Sequence, residues 1–208
     1  MKLRYSPTSP YVRKVVVTAI EAGLDDRIER VATDVWAPDT DIAEDNPLGK
    51  VPALVLDDGL ALCDSPLICE YLSAHATAPG LIPAEGADHW QVLAFEALGD
   101  GIMDAAVARV IESLKRPAEF RWDGWLTRQA DKIGQALDSL ERSAIAGKLG
   151  VPHLGAMTDV GRIAVACALG YLDFRFAKDD WRQSRPALAA WYEGYAARPA
   201  MQATEPPG

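Results

Sequence analysis

Three short segments in the first third of the chain combine a hydroxyl group or a charge with the start of a regular element. The first contains Ser9-Pro10-Tyr11, where Ser9 lies between a strand and a helix. A helix N-terminus has free N–H groups and a partial positive charge, which favour an anion such as a thiolate. Ser9 is therefore a candidate partner for a sulfur atom. The alternative is that its hydroxyl only caps the helix.

The second segment, residues 46–54, contains Lys50-Val51-Pro52 at the entrance to a strand. A proline is tolerated at the first residue of a strand, and its peptide bond is a candidate for the cis form. A cis bond here would leave the backbone N–H and C=O of Val51 free to pair with another peptide, while Lys50 could meet a carboxylate. The alternative is an ordinary loop-to-strand junction with a solvated lysine.

The third segment, Asp64-Ser65-Pro66, opens a second helix. Ser65 and the first-turn N–H groups can hold a carboxylate, and Asp64 can accept from an ammonium group. Together they fit the head group of an amino acid, although an ordinary helix cap is the alternative.

Other catalytic arrangements lack support in the sequence. The histidines, His75, His89 and His153, are scattered, and there is no Gly-x-Ser-x-Gly motif. Serine hydrolysis and a metal site are therefore not predicted. The cysteines form no CxxC pair, and their odd number in a chain of this size favours a reducing compartment.

The elements that must position these segments divide the chain into two parts. Apolar periodicity predicts a strand containing Leu3 and Tyr5, a helix over residues 10–23, a strand over 27–32, a hairpin over 53–63, and a helix from residue 65. This order predicts an α/β domain over residues 1–77. Residues 78–87, rich in proline and glycine, are expected to be a linker. Helical patterns near residues 89–114, 125–146, 159–176 and 186–197 predict an all-α domain over residues 88–208.

Composition limits the classes of function. The chain has 208 residues, of which 49% are hydrophobic and 25% charged, as in ordinary globular domains. Its net charge of −9 predicts no binding to nucleic acid. No apolar run is long enough for a signal sequence or a membrane span, so we expect a cytoplasmic protein with no membrane partner.

These residues resemble the signatures of the glutathione transferases. The motifs at residues 9–13, 46–54 and 64–72 have the order and spacing of that family's three N-terminal motifs. The α/β half, the linker and the helical half also match its architecture. The resemblance implies a thioredoxin-like domain that binds reduced glutathione, followed by a helical domain that helps to form the site of the electrophile.

The resemblance also implies roles for individual residues. Ser9 would hydrogen-bond the glutathione sulfur, and Val51 would pair through its backbone with the cysteinyl segment. Lys50 would lie near the glycine carboxylate. Asp64 and Ser65 would hold the γ-glutamyl ammonium and carboxylate.

Two positions near the first strand bear on the chemistry of the sulfur. Glutaredoxins and some transferase classes have a cysteine where this chain has Ser9. Because a hydroxyl cannot form a mixed disulfide, the serine favours thiolate stabilisation over disulfide exchange. Tyr5 is a second candidate for the sulfur, since some classes use a tyrosine near the first strand.

Two segments of the helical half are informative. The run that begins at Asp100 and ends at Asp104 resembles one from which some classes send an aspartate across a dimer interface to the γ-glutamyl ammonium. Asp100 would be that residue in a homodimer, and a solvated helix charge is the alternative. Before Asp159, the family's usual Ser or Thr is replaced by Ala156, which weakens the expected capping box.

The predicted function is transfer of glutathione to a small hydrophobic electrophile, a detoxification reaction. Glutathione is the co-substrate, and no metal or redox cofactor is expected. Aromatic and apolar residues of the helical half line the electrophile site or, alternatively, belong to the core: Met103, Val107, Trp122, Trp125 and Phe174. Two other functions remain open, namely a non-catalytic binding or scaffold protein and a glutathione-dependent isomerase or dehalogenase.

Overall fold

The N-terminal half is built on a mixed sheet. The computed structural model describes residues 1–77, 80–150 and 158–207. The sheet has four strands in the order β2-β1-β3-β4. They are β1 (Lys2–Tyr5), β2 (Glu29–Ala32), β3 (Ala53–Val55) and β4 (Ala61–Cys63). β1 pairs in parallel with β2 and antiparallel with β3, which pairs antiparallel with β4.

Two helices follow the strands of this sheet and bring the predicted segments together. They are α1 (Pro10–Glu21), which connects β1 to β2, and α3 (Ser65–Ala74), which follows β4. α1 and α3 pack against each other, and α3 also contacts β3 and β4. Buried Leu3 and Leu54 of the sheet share one core with Val16 and Ile68 of the helices. α1 therefore starts after the central strand β1, and α3 starts after the edge strand β4.

The second half is helical. Its elements are α4 (Gly86–Leu114), α5 (Asp123–Ile145), α6 (Val160–Phe176), α7 (Pro186–Ala196) and α8 (Pro199–Gln202). α6 lies against both α4 and α1, and its residues are buried over most of its length. α4 and α6 approach so closely that a Cβ atom added to Gly99 would lie 2.6 Å from the carbonyl carbon of Ala164. The core of this half thus continues into the first.

The predicted fold class is confirmed, and the differences lie in short or exposed segments. A short helix, α2 (Ile42–Asp45), occupies a stretch predicted to be a loop, and α8 was not predicted. α4 begins at Gly86, inside the predicted linker. The sequence pattern did not show this start, because the first turn is exposed and has no apolar pattern. Ala156 lies outside the described residues, while Asp159 caps α6 by accepting from the Arg162 N–H at 2.9 Å.

No helix in the described ranges is both long enough and apolar enough to cross a membrane.

Candidate functional site

The start of α3 contains a buried hydroxyl that no protein group uses. Asp64 is the N-cap and has a φ of 75°, and its Oδ1 accepts from the Ser65 N–H at 2.8 Å. Ser65 is 0% exposed, and its Oγ has no hydrogen-bond partner within the described residues. Buried polar atoms are nearly always paired, so an orphan at a helix N-terminus marks a place where an anion can bind. Asp64 and Ser65 lie at the N-terminus of α3, where the sequence predicted a helix start.

The loop before β3 presents backbone groups in the same half. The peptide bond between Val51 and Pro52 is cis, as the sequence suggested. Buried Asn46 fixes the loop, because its Nδ2 donates to the Lys50 carbonyl at 2.8 Å and its Oδ1 accepts from the Leu48 N–H at 3.0 Å. Sequence reasoning quoted Asn46 as part of the motif but did not assign it this role.

The two predicted ligand groups of this loop are accessible. The N–H and C=O of Val51 have no hydrogen-bond partner in the part of the chain that the structure describes. Lys50 is exposed, and it forms no ion pair within that same part. Both groups can therefore meet an extended peptide.

Ser9 caps α1, and it keeps its own proton free for another acceptor. Its Oγ accepts from the Val12 N–H at 3.3 Å, and the side chain is half-buried. Ser9 therefore caps the helix, but the cap uses only a lone pair of its oxygen and not its O–H group. Tyr5, the other candidate, is half-buried at the end of β1, where the Arg30 guanidinium lies 5.9 Å from the centre of its ring.

A buried ion cluster joins α1 to α4, and sequence reasoning missed it. Lys14 is 0% exposed, and its Nζ donates to both carboxylate oxygens of Asp100 at 2.8 Å and to Glu96 Oε1 at 3.2 Å. Burial raises the pKa of both carboxyl groups above its usual value, and the Lys14 ammonium opposes that rise. The available signal was the position of Lys14 among the valines of α1, since a lysine is almost never fully buried unless it is paired.

Asp100 therefore has a partner in its own chain. Burial raises the pKa of Asp100, and the charge of Asp64 in the same chain adds to that rise. The Asp100 side chain remains 17% exposed. Its reach into a neighbouring subunit stays a prediction.

The predicted electrophile residues differ in their exposure. Met103 is buried in the core, and Trp122 is exposed and stacks on Trp125 at 6.2 Å between ring centres. Val107 and Phe174 are half-buried on α4 and α6. Trp125, Val107 and Phe174 are thus the partly accessible members of this set.

A polar contact that the sequence did not reveal joins the Ser9 segment to α4. The Tyr11 hydroxyl donates to Asp104 Oδ1 at 2.5 Å. Burial raises the pKa of Tyr11 well above its usual range, and the bond to Asp104 adds to the rise. This contact fixes the start of α1 against the helical half.

No group of three or more His, Cys, Asp and Glu residues within the described ranges could hold a metal ion.

A thioredoxin-like sheet with a cis proline before β3, followed by a helical domain packed on α1, defines the two-domain glutathione transferase architecture. The comparisons with known proteins agree with this class. The chain belongs to the glutathione S-transferase family: residues 8–75 match the model of its N-terminal domain, and residues 123–194 match that of its C-terminal domain.

Relatives resemble the chain over its whole length. An uncharacterized GST-like protein, YibF, from Escherichia coli K12 is 39% identical over 207 residues, which cover 100% of this chain and 99% of the relative. A glutathione transferase family member from Pseudomonas fluorescens Pf-5, solved with bound glutathione, has a TM-score of 0.91 and 46% identity, covering 100% of this chain and 99% of that one. A second structure from that organism, at 45% identity, a TM-score of 0.89 and full coverage of both chains, contains S-(propanoic acid)-glutathione.

Proposed function

We propose that the protein is a glutathione transferase, which binds reduced glutathione and activates its thiol for attack on an electrophile. In this proposal Ser65 holds the γ-glutamyl carboxylate, and Asp64 accepts from the γ-glutamyl ammonium. The Val51 backbone pairs with the cysteinyl residue, and Lys50 meets the glycine carboxylate. Ser9 hydrogen-bonds the sulfur.

The observation that carries the proposal is the orphaned hydroxyl of Ser65. Its Oγ is fully buried and unpaired within the described residues, directly behind the capping carboxylate of Asp64. Leaving a buried donor unsatisfied costs about 1–3 kcal/mol, so a ligand oxygen at this point recovers that free energy. A carboxylate beside an ammonium group satisfies Ser65 and Asp64 together, and the γ-glutamyl end of glutathione is such a pair.

The chemistry follows from the hydroxyl of Ser9. A free cysteine thiol has a pKa near ~8.5, and its thiolate is the nucleophile. Ser9 accepts from Val12, so its own O–H can donate to a thiolate. One charge-assisted hydrogen bond of about 1.5–3 kcal/mol lowers the thiol pKa by about one to two units. The thiol proton passes to solvent, and the thiolate bonds to an electrophilic carbon. The electron pair that this carbon gives up either departs with a leaving group, such as chloride, or moves from an activated double bond to the neighbouring carbon, which then takes a proton from solvent.

Asp100 and a second subunit complete the proposal. Asp100, which is partly exposed, serves as a further acceptor for the γ-glutamyl ammonium of the glutathione bound to the neighbouring subunit. The protein acts as a homodimer. Apolar side chains are exposed in both halves of the chain, Leu48 and Leu67 in the first and Trp90 in the second, as a self-complementary interface would need. Light scattering at micromolar concentration should give twice the chain mass of 22.5 kDa, and a monomer mass would contradict the dimer.

The remaining parts of the proposal concern the electrophile and the setting. Structures of relatives that contain glutathione and S-(propanoic acid)-glutathione support a site in this chain for glutathione with a substituent on sulfur. The substrate is a small electrophile, and the reaction is a cytoplasmic detoxification.

Calorimetry and a conjugation assay test the proposal together. Millimolar glutathione should give a binding isotherm with one site per chain, and 1-chloro-2,4-dinitrobenzene should be conjugated faster with the protein than without it. Binding without conjugation of any electrophile in a panel would favour the scaffold function. Absence of binding would overturn both readings of the site.

A further inference from the structure

An arginine lies on the wall of the helical domain near the start of α1. Arg175 is in the last turn of α6 and is half-buried. Its guanidinium carbon lies 4.1 Å from the centre of the Phe174 ring and 5.9 Å from the centre of the Tyr171 ring. The two rings, 6.4 Å apart, hold the guanidinium group in one orientation.

Arg175 differs from the other arginines of this domain that are at least partly buried. In the part of the chain that the structure describes, each of the others has a carboxylate partner: Arg109 with Asp179, Arg162 with Asp159, Arg185 with Asp138, and Arg198 with Glu21. Arg175 forms no ion pair there. Its guanidinium donates a hydrogen bond to the Tyr171 hydroxyl, while its Nε atom is buried without a hydrogen-bond partner. A partly desolvated guanidinium with an unused donor favours a carboxylate ligand.

The packing of α6 on α1 places the last turn of α6, which contains Arg175, toward the N-terminal end of α1. A Cβ atom added to Gly170 would clash with the guanidinium of Arg13 on α1. One residue further along α6, Tyr171 lies close enough to Tyr11 to influence its titration. Arg175 is one helical turn beyond Tyr171, and Tyr11 is two residues after Ser9.

We propose that Arg175 selects electrophiles that carry a carboxylate group. This inference rests on the proposed transfer function and specifies its substrate class. The guanidinium pairs with the carboxylate through N–H groups that no carboxylate of the protein occupies, while the ring of Phe174 packs against the body of the substrate. Asp104, an acid close to this wall, accepts from the Tyr11 hydroxyl and forms no ion pair with Arg175, so it leaves the cation available.

The test measures binding with matched pairs of glutathione conjugates by calorimetry. One pair is S-(4-carboxybenzyl)glutathione and the uncharged S-(4-carbamoylbenzyl)glutathione. A second pair, S-(2-carboxyethyl)glutathione and S-(2-carbamoylethyl)glutathione, has a shorter spacer. In the unmodified protein, the carboxylate of at least one pair should bind about tenfold or more tightly than its amide, as expected for a charge-assisted pair.

Two variants assign that preference to Arg175. Arg175→Met removes the charge but keeps an apolar chain over Phe174, and it should reduce the carboxylate-to-amide ratio to about one. Arg109→Met is the matched control, because Arg109 also stacks on a ring at 4.1 Å, that of Phe176, but is already paired with Asp179. It should keep the ratio of the unmodified protein. Arg175→Lys, which keeps the charge, should retain part of the preference.

The outcomes separate this inference from the proposed function. If unmodified glutathione binds but neither pair shows a preference, or if Arg175→Met keeps the full ratio, the selection by Arg175 is wrong and the transfer function stands. If neither glutathione nor any conjugate binds, the transfer function is wrong and the inference fails with it.

Discussion

The helices α1 and α3 begin with similar sequences but use their serines differently. In α1 the serine itself is the N-cap, and Ser9 Oγ accepts from the Val12 N–H. In α3 the cap has moved one residue earlier, to Asp64, and the hydroxyl of Ser65 is left without a partner among the described residues. A shift of one residue thus decides whether a serine completes its helix or is free for a ligand.

The bodies of the two helices differ as well. α1 is tied to the helical half by Lys14 to Glu96 and Asp100, by Tyr11 to Asp104, and by an ion pair between Glu21 and Arg198. Within the described residues, α3 forms no ion pair with the helical half. The helix that would position the sulfur is therefore fixed by other protein groups, whereas the start of α3 keeps the unpaired hydroxyl that the proposed ligand would use.

The largest effect is expected from removing the charge that fixes α1. Lys14→Met should lower the free energy of unfolding by about 3–5 kcal/mol, because it leaves two buried carboxylates without a cation. Urea unfolding at pH 8 measures the loss. Lys132→Met, at an exposed lysine on α5, is the control and should change stability by less than about 0.5 kcal/mol. An equal effect of the two substitutions would show that the cluster does not stabilise the contact.

The stability deficit of Lys14→Met should also change with pH in a defined direction. Burial raises the pKa of Glu96 and Asp100 in the folded protein, so each of these carboxyl groups favours folding at low pH and loses that contribution as the pH rises through its folded pKa. Without Lys14 this rise is larger. The stability deficit of Lys14→Met should therefore shrink as the pH falls from about 8 to about 5, and a growing deficit would contradict the assignment.

A smaller effect, on binding alone, is expected at the start of α3. Ser65→Ala should weaken glutathione binding by about 1.5–3 kcal/mol, or tenfold to somewhat over a hundredfold, without lowering stability, because Oγ has no partner in the described chain. Ser73→Ala on the same helix is the matched control. Ser73 Oγ accepts from the Ile82 N–H at 2.9 Å, so its loss should reduce stability and leave the affinity unchanged. Calorimetry and thermal unfolding of both variants provide the comparison.

At the start of α1, binding and activation should separate. Ser9→Ala should leave glutathione binding within about threefold, while the pKa of the bound thiol rises by about one to two units and conjugation at neutral pH slows. The absorbance of the bound thiolate against pH measures the shift. An unchanged titration would assign activation to Tyr5 or to the backbone. Ser9→Cys should instead form an adduct with oxidised glutathione, detected by intact mass.

The smallest effect is expected at two buried cysteines. Burial raises the pKa of Cys69 to about 12 and that of Cys167 to about 11. Alkylation of the native protein at pH 8 should therefore leave both unmodified, and denaturation should expose them. Rapid modification of Cys69 in the native protein would mean that α3 separates from α1 in solution.

Local signals and long-range contacts explain what the sequence could predict. Proline after a polar residue at a helix start and the Lys50-Val51-Pro52 run are local, and both predicted the conformation that the structure has. The partner of Lys14 is 86 residues away, and that of Tyr11 is 93 residues away. No helical or strand period encodes such pairs, so the partners of Lys14 and Tyr11 could not be predicted.

The attachment of α1 to the end of the chain has a consequence for synthesis on the ribosome. Arg13 Nη2 donates to the Met201 carbonyl, 188 residues later, and Glu21 pairs with Arg198, 177 residues later. Domains generally fold as units, N-terminal ones first, while the chain is still being made. Here the first helix acquires these polar partners only after residues 198–201 have been made. Until then the nascent N-terminal half exposes the surface that α4, α6 and α8 will cover, which is where a chaperone would be expected to bind.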